Sequence, residues 1–286
     1  MSLIFTYFTM IRPLNVLLSG LTVFIASYLL NHIYNPLTSI IAVVVMLMCA
    51  FANMINDLFD VETDKINKPK IYLNNIQLTT KLGKYLILII LLSMLILPLG
   101  LAHIYFTKNA ILYLYLISFL IIIYTPYLKG IAIIGNIIIS YIVASVFIIT
   151  ELILLNSFIK ILVYPVLLTF MLTLIRELAK DIDDLEGDRT ANINTFPVLF
   201  GITYSKYLLS ILTVFLIIIS IYPYYSQIYN FKYLILLVFL VQVPLIGCIF
   251  YLWKYPDFQN SRVLTILTKY ITIGGVITIL STKLLG

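Results

Sequence analysis

The chain has 286 residues, a formal net charge of +6 and only 10% charged residues. Its mean hydropathy of +1.10, set against roughly 25% charged residues in soluble domains, excludes a soluble globular fold and reads as a multi-span membrane protein. Ile, Leu and Phe richness without apolar–polar alternation excludes a β-barrel, so an all-α bundle is expected.

Nine spans of about 20 residues each are expected, at 14–33, 37–57, 84–104, 109–126, 131–150, 160–179, 204–223, 231–252 and 263–282. The first follows Arg12-Pro13 and runs on into further spans, so it reads as a true span rather than a cleaved signal. The second ends in NDLFDVETDKINKP, Asn56 to Pro69, where Asp57, Asp60, Glu62 and Asp64 crowd the mouth of an apolar run. The fourth closes on YTPYLKG, Tyr124 to Gly130, and the fifth opens near Gly135-Asn136. The sixth leads into KDIDDLEGDRTANINTFP, Lys180 to Pro197. Pro126, Pro165, Pro223 and Pro244 lie in or at the ends of spans and read as kinks. Cys49 and Cys248 sit inside apolar runs without metal or redox spacing and read as small buried residues. His32 and His103 fall at the far ends of their spans, away from the acids, and read as interfacial. No Ser–His or Cys–His arrangement is available for a hydrolase.

Charge orients the chain. With the N-terminus in the cytoplasm, 14 of the 18 basic residues lie on the cytoplasmic side, leaving Lys108, Lys160, Lys232 and Lys283 outside. The C-terminus is then expected on the opposite side. The net positive charge thus belongs to orientation, and nucleic acid is not an expected partner. The same assignment puts 11 of the 12 acids inside, Glu151 being the exception. The two longest cytoplasmic connections, 58–83 and 180–203, hold the acidic stretches. No linker or soluble appendage interrupts the chain, so one membrane domain over 1–286 is expected.

The two stretches share one spacing. Asp57, Asp60 and Asp64 form D-x-x-D-x-x-x-D, and Asp181, Asp184 and Asp188 repeat it. If each continues its helix, positions i, i+3 and i+7 share a face. Asn53 and Asn56 lie just upstream of the first set, Asn53 on the face of Asp57, and Glu177 shares the face of Asp181. Like charges so placed repel, and carboxylate and amide oxygens are hard ligands suited to Mg²⁺, which also takes substrate phosphate oxygens. Two opposed acidic faces would hold a diphosphate through Mg²⁺. A solvated helix end explains one such cluster, but poorly explains two with identical spacing at the membrane surface. Asp57 ends the second span and Asp181 follows the sixth, and these similar positions suggest an internal duplication that rests on the motifs, since the halves share little else.

At these residues the chain resembles the UbiA superfamily of intramembrane prenyltransferases. The first motif of that family, N-D-x-x-D-x-x-x-D, is matched by Asn56, Asp57, Asp60 and Asp64, and the second by Asp181, Asp184 and Asp188. Arg12-Pro13 with Asn15 resembles the opening signature of the family, Tyr124 to Lys129 a segment near its fourth helix, and Gly135-Asn136 the start of its fifth. The resemblance implies nine helices around a central cavity, a prenyl diphosphate donor, Mg²⁺ on both acidic motifs, and a lipid-like or aromatic acceptor drawn from the membrane. It implies diphosphate contacts from Asn15, Asn53, Asn56, Lys68, Lys129, Lys180 and Arg189, and a ring face of Tyr124 near the allylic cation. One departure stands out: the Arg-Pro pair that many members carry after the first motif is Lys70-Ile71 here, so the phosphate grip of that loop falls to Lys68 and Lys70.

Within the superfamily, RELAKDIDDLEGDR, Arg176 to Arg189, is most similar to the geranylgeranylglyceryl-phosphate geranylgeranyltransferases. A phosphorylated glycerol lipid wants basic residues near the membrane surface, which this chain has. A hydroxybenzoate or naphthoate acceptor wants one deep in the cavity, and Arg176 keeps that alternative open. A transporter is the remaining rival, but transporters place broken helices at the midplane, whereas these acids cluster at one surface.

Overall fold

The computed structural model describes residues 3–60, 81–254 and 263–284. The described residues are helical nearly throughout and include no strand, only an isolated bridge between Ile131 and Asn194. Eight helical stretches are long and apolar enough to cross a membrane, and they coincide with eight of the nine expected spans. The remaining one, 160–179, is helix α7 (Val163–Asp183), whose last two turns carry Arg176, Glu177, Lys180, Asp181 and Asp183. Its apolar part, Val163 to Ile175, covers only ~20 Å at 1.5 Å per residue, short of the ~30 Å hydrocarbon layer.

The chain divides into two compact units: Met1–Leu128 with Ser145–Leu162, and Lys129–Ala144 with Val163–Gly286. In the first unit, α1 (Leu3–Ile11) is separated from α2 (Pro13–Leu29) by Arg12, which adopts a left-handed backbone at φ 55. Pro13 then starts α2, where the missing amide hydrogen costs nothing. Helix α3 (Pro36–Phe59) is also started by a proline, and the side chain of its N-cap Asn35 accepts from Leu37 N at 3.0 Å. Helices α2 and α3 lie so close that a Cβ on Gly20 would fall 2.7 Å from Met46 Sδ. At the motif end, Met10, Met54 and Ile87 form a small core that joins α1, α3 and α4 (Lys81–Tyr105). Helix α5 (Lys108–Ile123) runs into a π-helical turn at Tyr124–Leu128.

Helix α6 (Ile134–Leu155) gives its first turns to the second unit and the rest to the first. Near its end, Glu151 is 0% exposed. It accepts from the amides of Lys160, Ile161 and Leu162 at 2.8, 2.8 and 2.9 Å and from the Ser157 hydroxyl at 3.1 Å. Four donors satisfy a carboxylate that would otherwise be costly to bury.

The second unit packs α7 against α9 (Phe196–Tyr225) and α12 (Val263–Leu284). The unit also holds the short α8 (Leu185–Thr190), then α10 (Phe231–Leu237), a π turn at Val238–Gln242 and α11 (Val243–Lys254). Ile175, Leu178, Ile182, Leu209, Leu264 and Ile271 are part of its core. Helix α9 is broken at Gly201, whose φ of 82 suits a residue without Cβ. A Cβ on Gly274 would come 2.5 Å from the Leu240 carbonyl, so α12 needs glycine there to approach the π turn. Gln242 on that turn donates to Ser220 Oγ at 3.0 Å and to Ile217 O at 3.2 Å, and the Tyr233 hydroxyl donates to Ser220 O at 2.7 Å.

Candidate active site

The first acidic stretch lies at the end of α3, which stops at Phe59 with Asp60 as its C-cap. Asp57 and Asp60 are 3% and 5% exposed. The Arg12 guanidinium donates to Asp57 Oδ1. The Asn56 amide donates to Asp60 Oδ2 at 2.6 Å. Asn53 turns its amide to the Ile11 carbonyl at 2.9 Å, so it ties α3 to the end of α1. Asn15, half-buried in the first turn of α2, packs its backbone amide onto the Arg12 carbonyl at 2.9 Å. Asp64, Lys68 and Lys70 lie outside the described residues.

The second stretch does not run as one helix. Helix α7 ends at Asp183, Asp184 caps α8, and Asp188 lies within α8. The helical register nevertheless carries across the break, because Asp184 N bonds to Lys180 O at 2.9 Å and Asp188 N to Asp184 O at 3.0 Å. The Asn136 amide donates to Asp181 Oδ2 at 2.7 Å. The Thr195 hydroxyl donates to Asp188 Oδ2 at 3.2 Å. Removal from water pushes Asp181 up to about 7, with the charges of Asp188 and Glu177 adding and Asn136 and Lys180 opposing. Asp188 is pushed up to about 6 by burial first and by Asp184 next, against Lys129, Lys180 and Thr195. Lys180 also reaches Glu177 at 3.9 Å, and Arg176 meets Glu177 at 3.4 Å. Arg189 is exposed at the end of α8.

Lys129, Lys180, Asp181, Asp184 and Asp188 are thus brought into electrostatic range of one another within the second unit. Tyr124 is half-buried at the start of the π turn, in the first unit. Three partners went unassigned from sequence: Arg12 at Asp57, Asn136 at Asp181 and Thr195 at Asp188. The first two had a signal, a lone arginine at the mouth of a span and a lone amide at the head of an apolar run.

No three Asp, Glu, His or Cys side chains converge as a preformed metal cage among the described residues. The donor chemistry still fits a hard divalent cation. The carboxylates are several and buried or half-buried, and Asp181 and Asp188 each accept from a neutral neighbour on Oδ2.

The UbiA prenyltransferase family matches residues 14–272. The chain belongs to this family. It is an intramembrane prenyltransferase, and a multi-pass membrane protein as its helices indicate. Among similar members, digeranylgeranylglyceryl phosphate synthase of Methanosphaera stadtmanae is 29% identical over 96% of this chain and 97% of its own. The synthase of the same name from Methanococcus maripaludis is 32% identical over 95% and 96%. A solved structure of digeranylgeranylglyceryl phosphate synthase in membranes superimposes with a TM-score of 0.71 over 99% of both chains, at 27% identity. A UbiA homologue from Archaeoglobus fulgidus bound to GPP and Mg²⁺ does so with a TM-score of 0.69 over 96% of both chains. At 17% identity, that likeness to the UbiA homologue is one of fold.

Proposed function

We propose that this UbiA member transfers a geranylgeranyl group from its diphosphate to the hydroxyl of geranylgeranylglyceryl phosphate, with diphosphate as the leaving group. The observation that carries the reading is the second stretch, where Asp181, held by the Asn136 amide, and Asp188, held by the Thr195 hydroxyl, lie in electrostatic range of one another and Asp184 in range of Asp188. Such a set is stabilised by a divalent cation. The full-length similarity to digeranylgeranylglyceryl phosphate synthases supports the acceptor.

In this reading Asp57, Asp60 and Asp64, and Asp181, Asp184 and Asp188, hold Mg²⁺. Mg²⁺ held there would neutralise the diphosphate and favour its departure as the leaving group. Asn136 and Thr195 keep Asp181 and Asp188 oriented, as partners of ligands do. Lys68, Lys129 and Lys180 act as point charges for the diphosphate and Arg189 as a fork, with Asn15, Asn53 and Asn56 completing the polar lining. The allylic C–O bond breaks and its electron pair leaves with the diphosphate, the acceptor oxygen bonds to the freed carbon, and the proton of the acceptor hydroxyl passes to the departing diphosphate. The apolar helices exclude water from the allylic cation, and the Tyr124 ring stabilises it. The whole chain acts as one catalytic domain, with the N-terminus and the acidic stretches on the cytoplasmic side and the C-terminus opposite.

The test uses purified protein in lipid with Mg²⁺ and geranylgeranyl diphosphate, offered geranylgeranylglyceryl phosphate or 4-hydroxybenzoate, with products read by mass spectrometry. An Asp60→Ala, Asp184→Ala double variant serves as blank. A metal-dependent diether is expected. Product from the aromatic acid alone would overturn the acceptor and leave the metal chemistry standing.

A further inference from the structure

The second stretch contains a carboxylate outside its D-x-x-D-x-x-x-D series. Asp183 is the last residue of α7, between Asp181 and Asp184, and is only 3% exposed. At 3.6 residues per turn it points ~200° away from Asp181. The two acids accordingly meet different parts of the second unit. Asp181 takes the Asn136 amide. Asp183 Oδ2 accepts from Thr265 N at 3.0 Å and from Thr265 Oγ1 at 2.7 Å.

Thr265 is the third residue of α12 (Val263–Leu284). The first backbone N–H groups of a helix lack partners within it, and the helix N-terminus favours a negative charge. Asp183 therefore caps α12 from 82 residues upstream. Below that cap the two helices pack closely: Ile175, Leu178 and Ile182 share a core with Leu264 and Ile271, and a Cβ on Gly275 would touch Leu172 Cδ2 at 3.4 Å. The chain breaks from α7 into α8 at the next residue, Asp184. The cap ties the last residue of α7 to α12 at this break, immediately between Asp181 and Asp184.

We propose that Asp183 is a positioning residue: by capping α12 through Thr265 it fixes the end of α7, and so sets the angle at which Asp181 and Asp184 present their carboxylates to the divalent cation. This rests on the metal role proposed for those two residues. Asp183 itself binds neither metal nor substrate. Its role depends on two accepted hydrogen bonds rather than on its charge, so an asparagine oxygen serves in its place.

The test is Mn²⁺ binding to the whole protein in lipid nanodiscs, followed by electron paramagnetic resonance, alongside melting temperature and the Mg²⁺ dependence of transfer. Asp183→Asn is expected to bind Mn²⁺ within about threefold of the parent, since its amide oxygen accepts both bonds. Asp183→Ala is expected to weaken Mn²⁺ binding at least tenfold, in the range seen when an orienting partner is lost, and to raise the half-saturating Mg²⁺ by the same factor. Thr265→Val keeps the amide donor, and is expected to weaken binding about threefold with little change in melting temperature. The double variant Asp183→Ala, Thr265→Val should bind no more weakly than Asp183→Ala alone. Unchanged Mn²⁺ affinity in Asp183→Ala and Thr265→Val, with melting temperature alone lowered, would overturn the proposal and leave a plain structural cap. Asp183→Asn as defective as Asp183→Ala would also overturn it, by showing that the charge is what matters. If Asp183→Ala fails to fold, Thr265→Val and Asp183→Asn still decide. Mn²⁺ binding is read without turnover, so an error in the proposed acceptor would leave this result intact.

Discussion

The two acidic stretches have the same spacing and different electrostatics. At the end of α3, Asp57 faces a guanidinium from Arg12 and Asp60 an amide from Asn56. At the junction of α7 and α8, the hydrogen-bond donors to Asp181 and Asp188 are a neutral amide and a hydroxyl, and the carboxylates push one another's pKa upward. Equal spacing in sequence therefore does not mean equal readiness for a cation. The first stretch meets a positive charge by direct hydrogen bond at Asp57; in the second, Lys129 and Lys180 oppose the upward shift without outweighing burial, so that stretch gains more from an added cation.

The largest expected effect is loss of a carboxylate. Asp181→Ala should lower kcat/KM by about 10³, or about 4 kcal/mol of transition-state stabilisation, and should remove most Mn²⁺ binding. Asp57→Ala should impair transfer severely but retain more Mn²⁺ binding, because Asp57 is already paired with Arg12 and offers the cation less net charge. Equal loss of binding in the two variants would break the comparison. Next in size, Asn136→Ala leaves Asp181 without its amide and should weaken metal binding by about 10- to 100-fold; calorimetric titration with Mn²⁺ measures it, and an unchanged constant would mean that Asn136 only fills space.

The pH dependence sharpens the contrast. Both Asp181 and Asp188 are raised, so their contribution to the stability of the metal-free protein is present below the ordinary carboxylate range. It is lost as pH rises through about 6 and about 7. Metal binds the ionised forms, so affinity should be full above about 7, fall by up to about tenfold per unit between about 7 and about 6, and by up to about a hundredfold per unit below that. Metal should accordingly raise the melting temperature more at pH 8 than at pH 5.5, and equal gains at both would contradict this picture. The smallest effect is expected at the first stretch. Arg12→Gln leaves the Asp57 charge without its cation, but the Arg12 side chain is 34% exposed, so water offsets much of the loss. A cost of about 1 kcal/mol is expected, read as a modest drop in melting temperature that added Mg²⁺ partly restores.

Much of this molecule was legible in its sequence because membrane burial imposes a coarse and repetitive code. Eight expected spans became helices of the required length and apolarity. The ninth became α7, whose charges shorten its apolar part. The spacing of Asp57 and Asp60, and of Asp181, Asp184 and Asp188, was readable for the same reason: charges stand out against a background of Ile and Leu. What the sequence left hidden was the far partner of each charge. Arg12 lies 45 residues from Asp57, and Asn136 lies 45 from Asp181. Those pairings depend on how helices pack, which periodicity does not encode. The break at Asp184 was also hidden, because a D-x-x-D-x-x-x-D series is compatible with either one helix or two. The partners of Asp183 and Glu151 were hidden too: each gathers donors from a distant or looped segment.

The charged end of α7 bears on how the protein is made. Arg176, Glu177, Lys180 and Asp181, in the last two turns of α7, leave it an apolar part too short to insert readily on its own. The helices that pack against it, α9 and α12, both lie later in the chain. When α7 leaves the ribosome these two do not yet exist, although Asn136 of α6, which meets Asp181, does. Its final seating must wait for synthesis of nearly the whole protein, so truncation before α12 should release α7 from the bilayer while the spans upstream stay in place.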